Sequence, residues 1–242
     1  MSDVSTNSGV GVRRRMVTSS SISDASTRRS SIHDWLLRRT PQWRDWGGMP
    51  TVGYFESVES EAQLAKTLGL CDVSGMSRHD LRGPDAESWL QSQGWEIPVA
   101  LHESTLIPGK GRIIRLDHDE FLIEGSVLAN VEPLSISSPS ERVVNVFHFQ
   151  RQDATFLLTG GRAIEVFAQT CGVNISKCES GRVIFSRIAG INASIFPDKI
   201  GTVPVYWIST GSDLGWYLWE TLIEIVEELD GRIIGMTCLL SS

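Results

Sequence analysis

Leu81-Arg82-Gly83-Pro84-Asp85-Ala86-Glu87-Ser88-Trp89-Leu90 and, 77 residues later, Leu158-Thr159-Gly160-Gly161-Arg162-Ala163-Ile164-Glu165-Val166-Phe167 share one pattern. In each, Leu-x-Gly-x-x-Ala leads from a strand end through a turn into a helix. A large apolar residue falls four after the Ala, and a Gly (Gly94, Gly172) follows. Gly permits an unusual turn, and the small Ala lets the new helix pack closely on a sheet. Two such units at equivalent places predict an α+β fold built from two pseudo-repeated strand–helix modules. The expected halves are about 32–135 and 140–242 of one domain spanning 32–242.

Working outward, Ile32, Trp35 and Leu36 have the spacing of one helical face, ended by Pro41, and Gly47-Gly48-Met49-Pro50 reads as a loop. A helix from Ser57 places Val58, Ala62, Ala65 and Leu68 on one side with Gly69 as its stop. Leu70 to Ser74 reads as a short strand. Gly111 to Leu116 and Glu120 to Glu124 flank the turn-prone Asp117-His118-Asp119. Val143 to Gln150, Val183 to Ile188, Ala193 to Phe196 and Val203 to Ile208 are further strands. A helix from about Leu214 to Leu229 has the stripe Leu214, Leu218, Thr221, Leu222, Ile225 and Leu229, with Gly231 as its stop. A strand from Arg232 to Leu240 closes the domain.

Of the 242 residues, 41% are hydrophobic and 21% charged, an ordinary globular usage. No apolar run approaches the ~18 residues that span a bilayer, and no apolar stretch follows the first arginines as in a signal peptide. The net charge of −7 disfavours nucleic acid, which is bound mainly through excess Lys and Arg. Residues 1–31 differ from the rest: thirteen are Ser or Thr, and five Arg against two Asp give +3. That composition predicts a disordered tail. It also fits an organelle transit peptide, so the expected location is the cytoplasm, or an organelle if the segment is a targeting signal. Cys71, Cys171, Cys178 and Cys238 form no C-x-x-C pair and the five histidines form no ligand cluster, so no metal is expected.

Gly69-Leu70-Cys71-Asp72-Val73-Ser74-Gly75-Met76 resembles the G-(L/I)-F-D-V-S-x-M segment of the glycine-cleavage T-protein (aminomethyltransferase) superfamily. As in that family, a strand, Gly83-Pro84-Asp85-Ala86 and a helix follow. Trp46-Gly47-Gly48 resembles its Gly-Gly-Trp loop, and Tyr217-Leu218-Trp219-Glu220-Thr221-Leu222 its Y-L-W-x-x-L helix. These anchors cover most of 32–230 in order. The resemblance implies modules gathered around a tetrahydrofolate pocket, with Asp72, Ser74 and Met76 as candidate cofactor-binding residues. A structural role is also open to them, Asp72 and Ser74 capping a strand–loop corner and Met76 filling a core gap.

The departures bear on activity. Where the family carries Gly-Gly-x-x-Asp-Asp, this chain has Gly109-Lys110-Gly111-Arg112-Ile113-Ile114-Arg115-Leu116, without a carboxylate to stabilise charge or move a proton. Where the family has Tyr-x-Gly-Glu against the pterin, Ser186 to Ala193 lacks the Glu. The chain also ends without the family's C-terminal barrel, as sarcosine oxidase gamma subunits do. The resemblance therefore implies a non-catalytic accessory subunit, of the sarcosine oxidase gamma type, in tetrahydrofolate-linked oxidation of a methylated amine. Its partners would be larger flavin-bearing oxidase subunits, and no catalytic residue is assigned. The alternatives are an active tetrahydrofolate-dependent aminomethyltransferase or demethylase, and a folate-binding regulatory protein.

Overall fold

The structure is a computed structural model that describes residues 28–126 and 145–241. Residues 1–27, most of the expected tail, lie outside the described residues. The last of that stretch is described, with Ser30 buried and Arg28 Nη2 donating to the Ser74 carbonyl (3.2 Å).

Thirteen strands and five α-helices are formed by the described residues. Strands β1 (Gln42–Trp46) and β2 (Met49–Tyr54) make a hairpin that follows helix α1 (His33–Leu37). Helix α2 (Val58–Thr67) leads to β3 (Gly69–Asp72) and β4 (Arg78–Arg82), then to α3 (Ala86–Ser92). Strands β5 (Ser104–Ile107), β6 (Gly111–Asp117) and β7 (Glu120–Gly125) complete the first half. The second half repeats the scheme with β8 (Phe147–Gln150), β9 (Ala154–Thr159) and α4 (Ala163–Thr170). It continues through β10 (Ile184–Ile188), β11 (Ile191–Ile200) and β12 (Val203–Thr210) to α5 (Gly215–Glu228) and the short β13 (Arg232–Ile233).

The two large sheets have the same order. One runs β5-β6-β7-β4-β8 and the other β10-β11-β12-β9-β3, with β13 added outside β3 in parallel. The correspondence reveals an exchange. Strand β3 precedes β4 in the chain but pairs with β9, while β8 precedes β9 but pairs with β4. Each half thus gives its leading strand to the sheet of the other.

Strand alternation builds the layers, because successive side chains point to opposite faces. Phe156 and Leu158 of β9 pack with α1, α4 and α5 through Trp35, Val166, Phe167, Leu218 and Trp219. Leu157 of the same strand faces the other sheet, where Cys71, Phe196 and Trp207 meet Ile114 and Leu122. Beyond that sheet, Leu81, Ile113, Phe121 and Ile123 bury Ala86, Trp89 and Leu90 of α3. The result is helices, sheet, sheet, helix.

The two quoted motifs act as expected, for a reason that the exchange supplies. Gly83 and Gly160 take φ of 125° and 98°, and Ala86 and Ala163 are fully buried. A Cβ on Gly83 would lie 2.0 Å from the carbonyl oxygen of Asn145, two residues before β8. On Gly160 it would lie 2.3 Å from that of Thr67, two residues before β3. The lead-in to each exchanged strand therefore crosses a glycine that has no room for a side chain.

Several local expectations change. Gly47-Gly48-Met49-Pro50 is not all loop: both glycines are left-handed (φ 62° and 77°), the turn a two-residue hairpin needs, and Met49 already belongs to β2. Gly69 is the first residue of β3, kept small by Ile234 Cδ1 at 2.6 Å, rather than a left-handed helix stop. At the end of α5 it is Asp230 (φ 58°), not Gly231, that turns left-handed, and Gly231 makes room for Leu68. The buried stripe of α5 is Leu218, Trp219, Leu222, Ile223 and Val226, so Leu214 is left exposed. The large Trp219 ring, wedged against Trp35 and Phe156, sets that rotation.

The expected last strand stops at Ile233, and Met236–Ser241 is a 3-10 helix. Glu61 explains the change. Its Oε1 accepts from the amides of Phe55 (2.6 Å) and Glu56 (3.0 Å), and its Oε2 takes the Gly235 N–H (2.6 Å) that a strand would give to a ladder.

Gly83→Ala and Gly160→Ala are each expected to destabilise by at least about 2 kcal/mol, from left-handed strain plus a backbone clash. In a chain of this size that lowers Tm by roughly 4–8 °C. Gly161→Ala, whose methyl meets nothing within 4 Å, should leave Tm unchanged or slightly higher in thermal melts.

Candidate functional site

The inner face of the five-stranded sheet is charged where a two-sheet core is ordinarily apolar. Period-two alternation turns Arg78, Asp80 and Arg82 of β4 inward, with Glu120 and Glu124 of β7 and Arg112 of β6. Register makes them neighbours: Arg78 stands opposite Glu124, Arg82 opposite Glu120, and Arg112 opposite Glu124.

All are tied into ion pairs. Arg78 Nε and Nη2 reach Glu124 Oε1 at 2.9 Å, and its Nη1 pairs with Asp153. Arg151 spans Asp153 (2.8 Å) and Asp80 (3.4 Å). Arg82 joins Asp80 (2.8 Å) to Glu120 (2.7 Å). Arg112 crosses to Asp198 of β11 (3.0 Å) and lies 4.0 Å over the Phe196 ring, so one guanidinium links the two sheets. A charge this deep is held only by partners and hydrogen bonds.

Where the sheets part, a cleft of about 510 Å³ opens. That volume is within the roughly 300–1,000 Å³ of small-molecule sites. Arg151 and Asp153 line one wall; Arg187, Asn192, Ser194 and Ser209, from β10 to β12, line the other, with the half-exposed Phe185 beside them. Arg187 stands opposite Asn192 in register, and Ser194 opposite Ser209. Below the cleft lies a cavity of about 20 Å³ lined by Arg78, Ile114, Glu124, Trp207 and others, sharing Arg151, Phe185, Ser194 and Ser209 with the cleft.

The stretches singled out by their departures both sit here. Ser186 and Arg187 line the cleft, and Ile114 lines the small cavity. In β6 the inward positions are Arg112 and Ile114, whereas Ile113 packs toward α3. Glu124, one strand away, brings a carboxylate to the cavity that sequence reading missed. The signal was there as alternate charges in Arg78-His79-Asp80-Leu81-Arg82 and Glu120-Phe121-Leu122-Ile123-Glu124.

Asp72, Ser74 and Met76 lie together at the β3–β4 corner. Asp72 Oδ1 accepts from the Ser74 amide (3.0 Å) and hydroxyl (2.6 Å), and Ser74 Oγ accepts from the Thr155 N–H (3.0 Å). Val73 N–H donates to the Thr155 carbonyl (3.0 Å). The corner is thereby stitched to the start of β9, two residues from Asp153. Met76 is buried between the sheets. Burial raises the Asp72 pKa above the ordinary carboxylate value, against hydrogen bonds from Ser30 and Ser74 that hold it down. Among the described residues no group of three or more His, Cys, Asp or Glu could hold a metal ion, and no helix is long and apolar enough to cross a membrane.

No protein-family model and no curated protein matches the chain. Solved structures do. The glycine cleavage system aminomethyltransferase T from Bartonella henselae superposes with a TM-score of 0.67 at 14% identity, over 88% of this chain and 61% of that one. A chain of the heterotetrameric sarcosine oxidase from Corynebacterium sp. U-96 does so with a TM-score of 0.54 at 15% identity, over 72% of this chain and 93% of that one. The fold is therefore the one expected from the sequence. This chain spans about three fifths of the length of the aminomethyltransferase chain.

Because the folded state favours protonated Asp72, ionising it removes stability as pH rises from about 4 through the raised value. Asp72→Asn keeps an oxygen for Ser74 and has no proton to lose. Its Tm relative to the natural chain should rise between pH 4 and pH 7; a constant or falling difference contradicts this assignment.

Proposed function

We propose that this chain is a non-catalytic accessory subunit, of the sarcosine oxidase gamma type, acting in the cytoplasm in tetrahydrofolate-linked oxidation of a methylated amine. One observation carries the reading. Asp153, the carboxylate that lines the cleft, is held by the guanidiniums of Arg78 and Arg151. A general acid or base must be free to exchange a proton at the reacting atom, and this one is committed to two cations. The coverage of 93% of a sarcosine oxidase chain, against 61% of the aminomethyltransferase, supports the same reading.

Tetrahydrofolate is the ligand we assign to the cleft. Arg187, whose side chain is exposed on the cleft wall, and Arg151 would take the ligand's carboxylates, and Asn192 and Ser194 its polar groups. Asp72, Ser74 and Met76 would serve the cofactor site by fixing the corner from which β9 and Asp153 start. The partners would be larger flavin-bearing chains, to which the catalytic chemistry belongs.

Size-exclusion chromatography of the full chain mixed with flavin-bearing amine oxidase chains from its own organism should show co-elution. The chain alone, given tetrahydrofolate and a one-carbon donor, should give no turnover. Separate elution together with methylene-tetrahydrofolate formation by the isolated chain would replace this reading with an active aminomethyltransferase. Separate elution with micromolar folate binding and no turnover would favour a folate-binding regulator.

A further inference from the structure

Among the described residues eight buried side-chain polar atoms lack a hydrogen-bond partner, and two of them, Glu124 Oε2 and Trp207 Nε1, belong to residues lining the same small cavity. Glu124 is 3% exposed and Trp207 is 4% exposed. Glu124 Oε1 is held by Arg78, but Oε2 has only Arg112 Nε nearby, at 3.4 Å and off the line of a hydrogen bond. Trp207 Nε1 has no acceptor, although its ring lies under the Arg112 guanidinium at 5.1 Å. Native interiors seldom leave one such atom dry, and rarely a donor and an acceptor at one cavity. A water needs about 10–15 Å³ of this kind of space, and the cavity offers about 20 Å³.

We infer that this cavity is a binding site for one group that both donates and accepts a hydrogen bond. Glu124 Oε2 takes its hydrogen and Trp207 Nε1 donates to its oxygen. In the free protein the group is a water. With the cleft filled, it is a hydroxyl or amide group of the ligand, entering past Ser194 and Ser209, which line both spaces. A carboxylate end is rejected because it offers no hydrogen to Glu124 and repels it. An ammonium end is rejected because it cannot accept from the indole. The inference goes beyond the accessory-subunit reading and holds whether or not a flavin-bearing partner exists.

The test uses the full chain labelled with nitrogen-15. The Trp207 indole N–H should show a cross-peak to a long-lived water, read on the unaltered chain. Trp207→Phe removes that bond and should lower Tm by about 2–4 °C. An indole with no water contact, or a variant that melts higher, means a dry cavity and overturns the inference. Acetamide should then shift the Trp207 indole resonance and abolish its water contact, while acetate does neither. If acetamide has no effect, or acetate acts alike, the ligand class is wrong.

Discussion

The rest of the structure depends on two close backbone crossings. At Gly83 and at Gly160 the lead-in to a strand from the other half passes so near that a single methyl would meet a carbonyl oxygen. Both crossings exist because β3 and β8 are exchanged between the sheets. An exchange of this kind removes the option of folding one half alone. Without β8, β4 becomes an open edge; without β3, β9 loses one of its two neighbours. A strand with an unpaired side presents a row of unsatisfied amides and carbonyls, and the partner half supplies the cover. The α2–α4 junction repeats the theme. The Lys66 and Thr67 carbonyls at the end of α2 accept from the Gly161 and Arg162 amides at the start of α4, so one helix end satisfies the other.

This interlock sets the site. Because the sheets face each other, the inner charges of β4, β6 and β7 are trapped, and each must find its counter-ion from the fold itself. Arg78 draws one acid from its own sheet and one, Asp153, from the link between β8 and β9. Arg112 draws Asp198 from the facing sheet. Such pairs add little net stability compared with apolar packing, but a wrong register would leave charges buried alone, at a cost of about 3–5 kcal/mol. They therefore specify how the sheets dock. The same constraint ties Asp153, on the cleft wall, to the guanidiniums of Arg78 and Arg151.

Much of this was legible in the chain. The Leu-x-Gly-x-x-Ala units located β4, β9 and the helices that follow, because a left-handed glycine and a buried alanine leave a local signature. The helices beginning at Ser57 and ending near Leu229 were legible through their periodic apolar spacing. The exchange was not, since nothing local distinguishes a strand that pairs with the next one from a strand that pairs across the molecule. The charged interior was also missed. Arg78, Asp80 and Arg82 read as a solvated edge unless the face of the strand is known, and Glu124 becomes a cavity residue only through its register with Arg112. Glu61 shows the same limit. A glutamate in the first turn of a helix looks like a solvated dipole partner, yet here it accepts three amides, one of them 174 residues away.

Differential scanning calorimetry of the full chain tests the interlock most directly. If the exchanged strands bind the halves into one cooperative unit, the protein should melt in a single transition whose calorimetric and van't Hoff enthalpies agree. Two resolved transitions, or a calorimetric enthalpy well above the van't Hoff value, would mean that the halves unfold separately and would contradict the account.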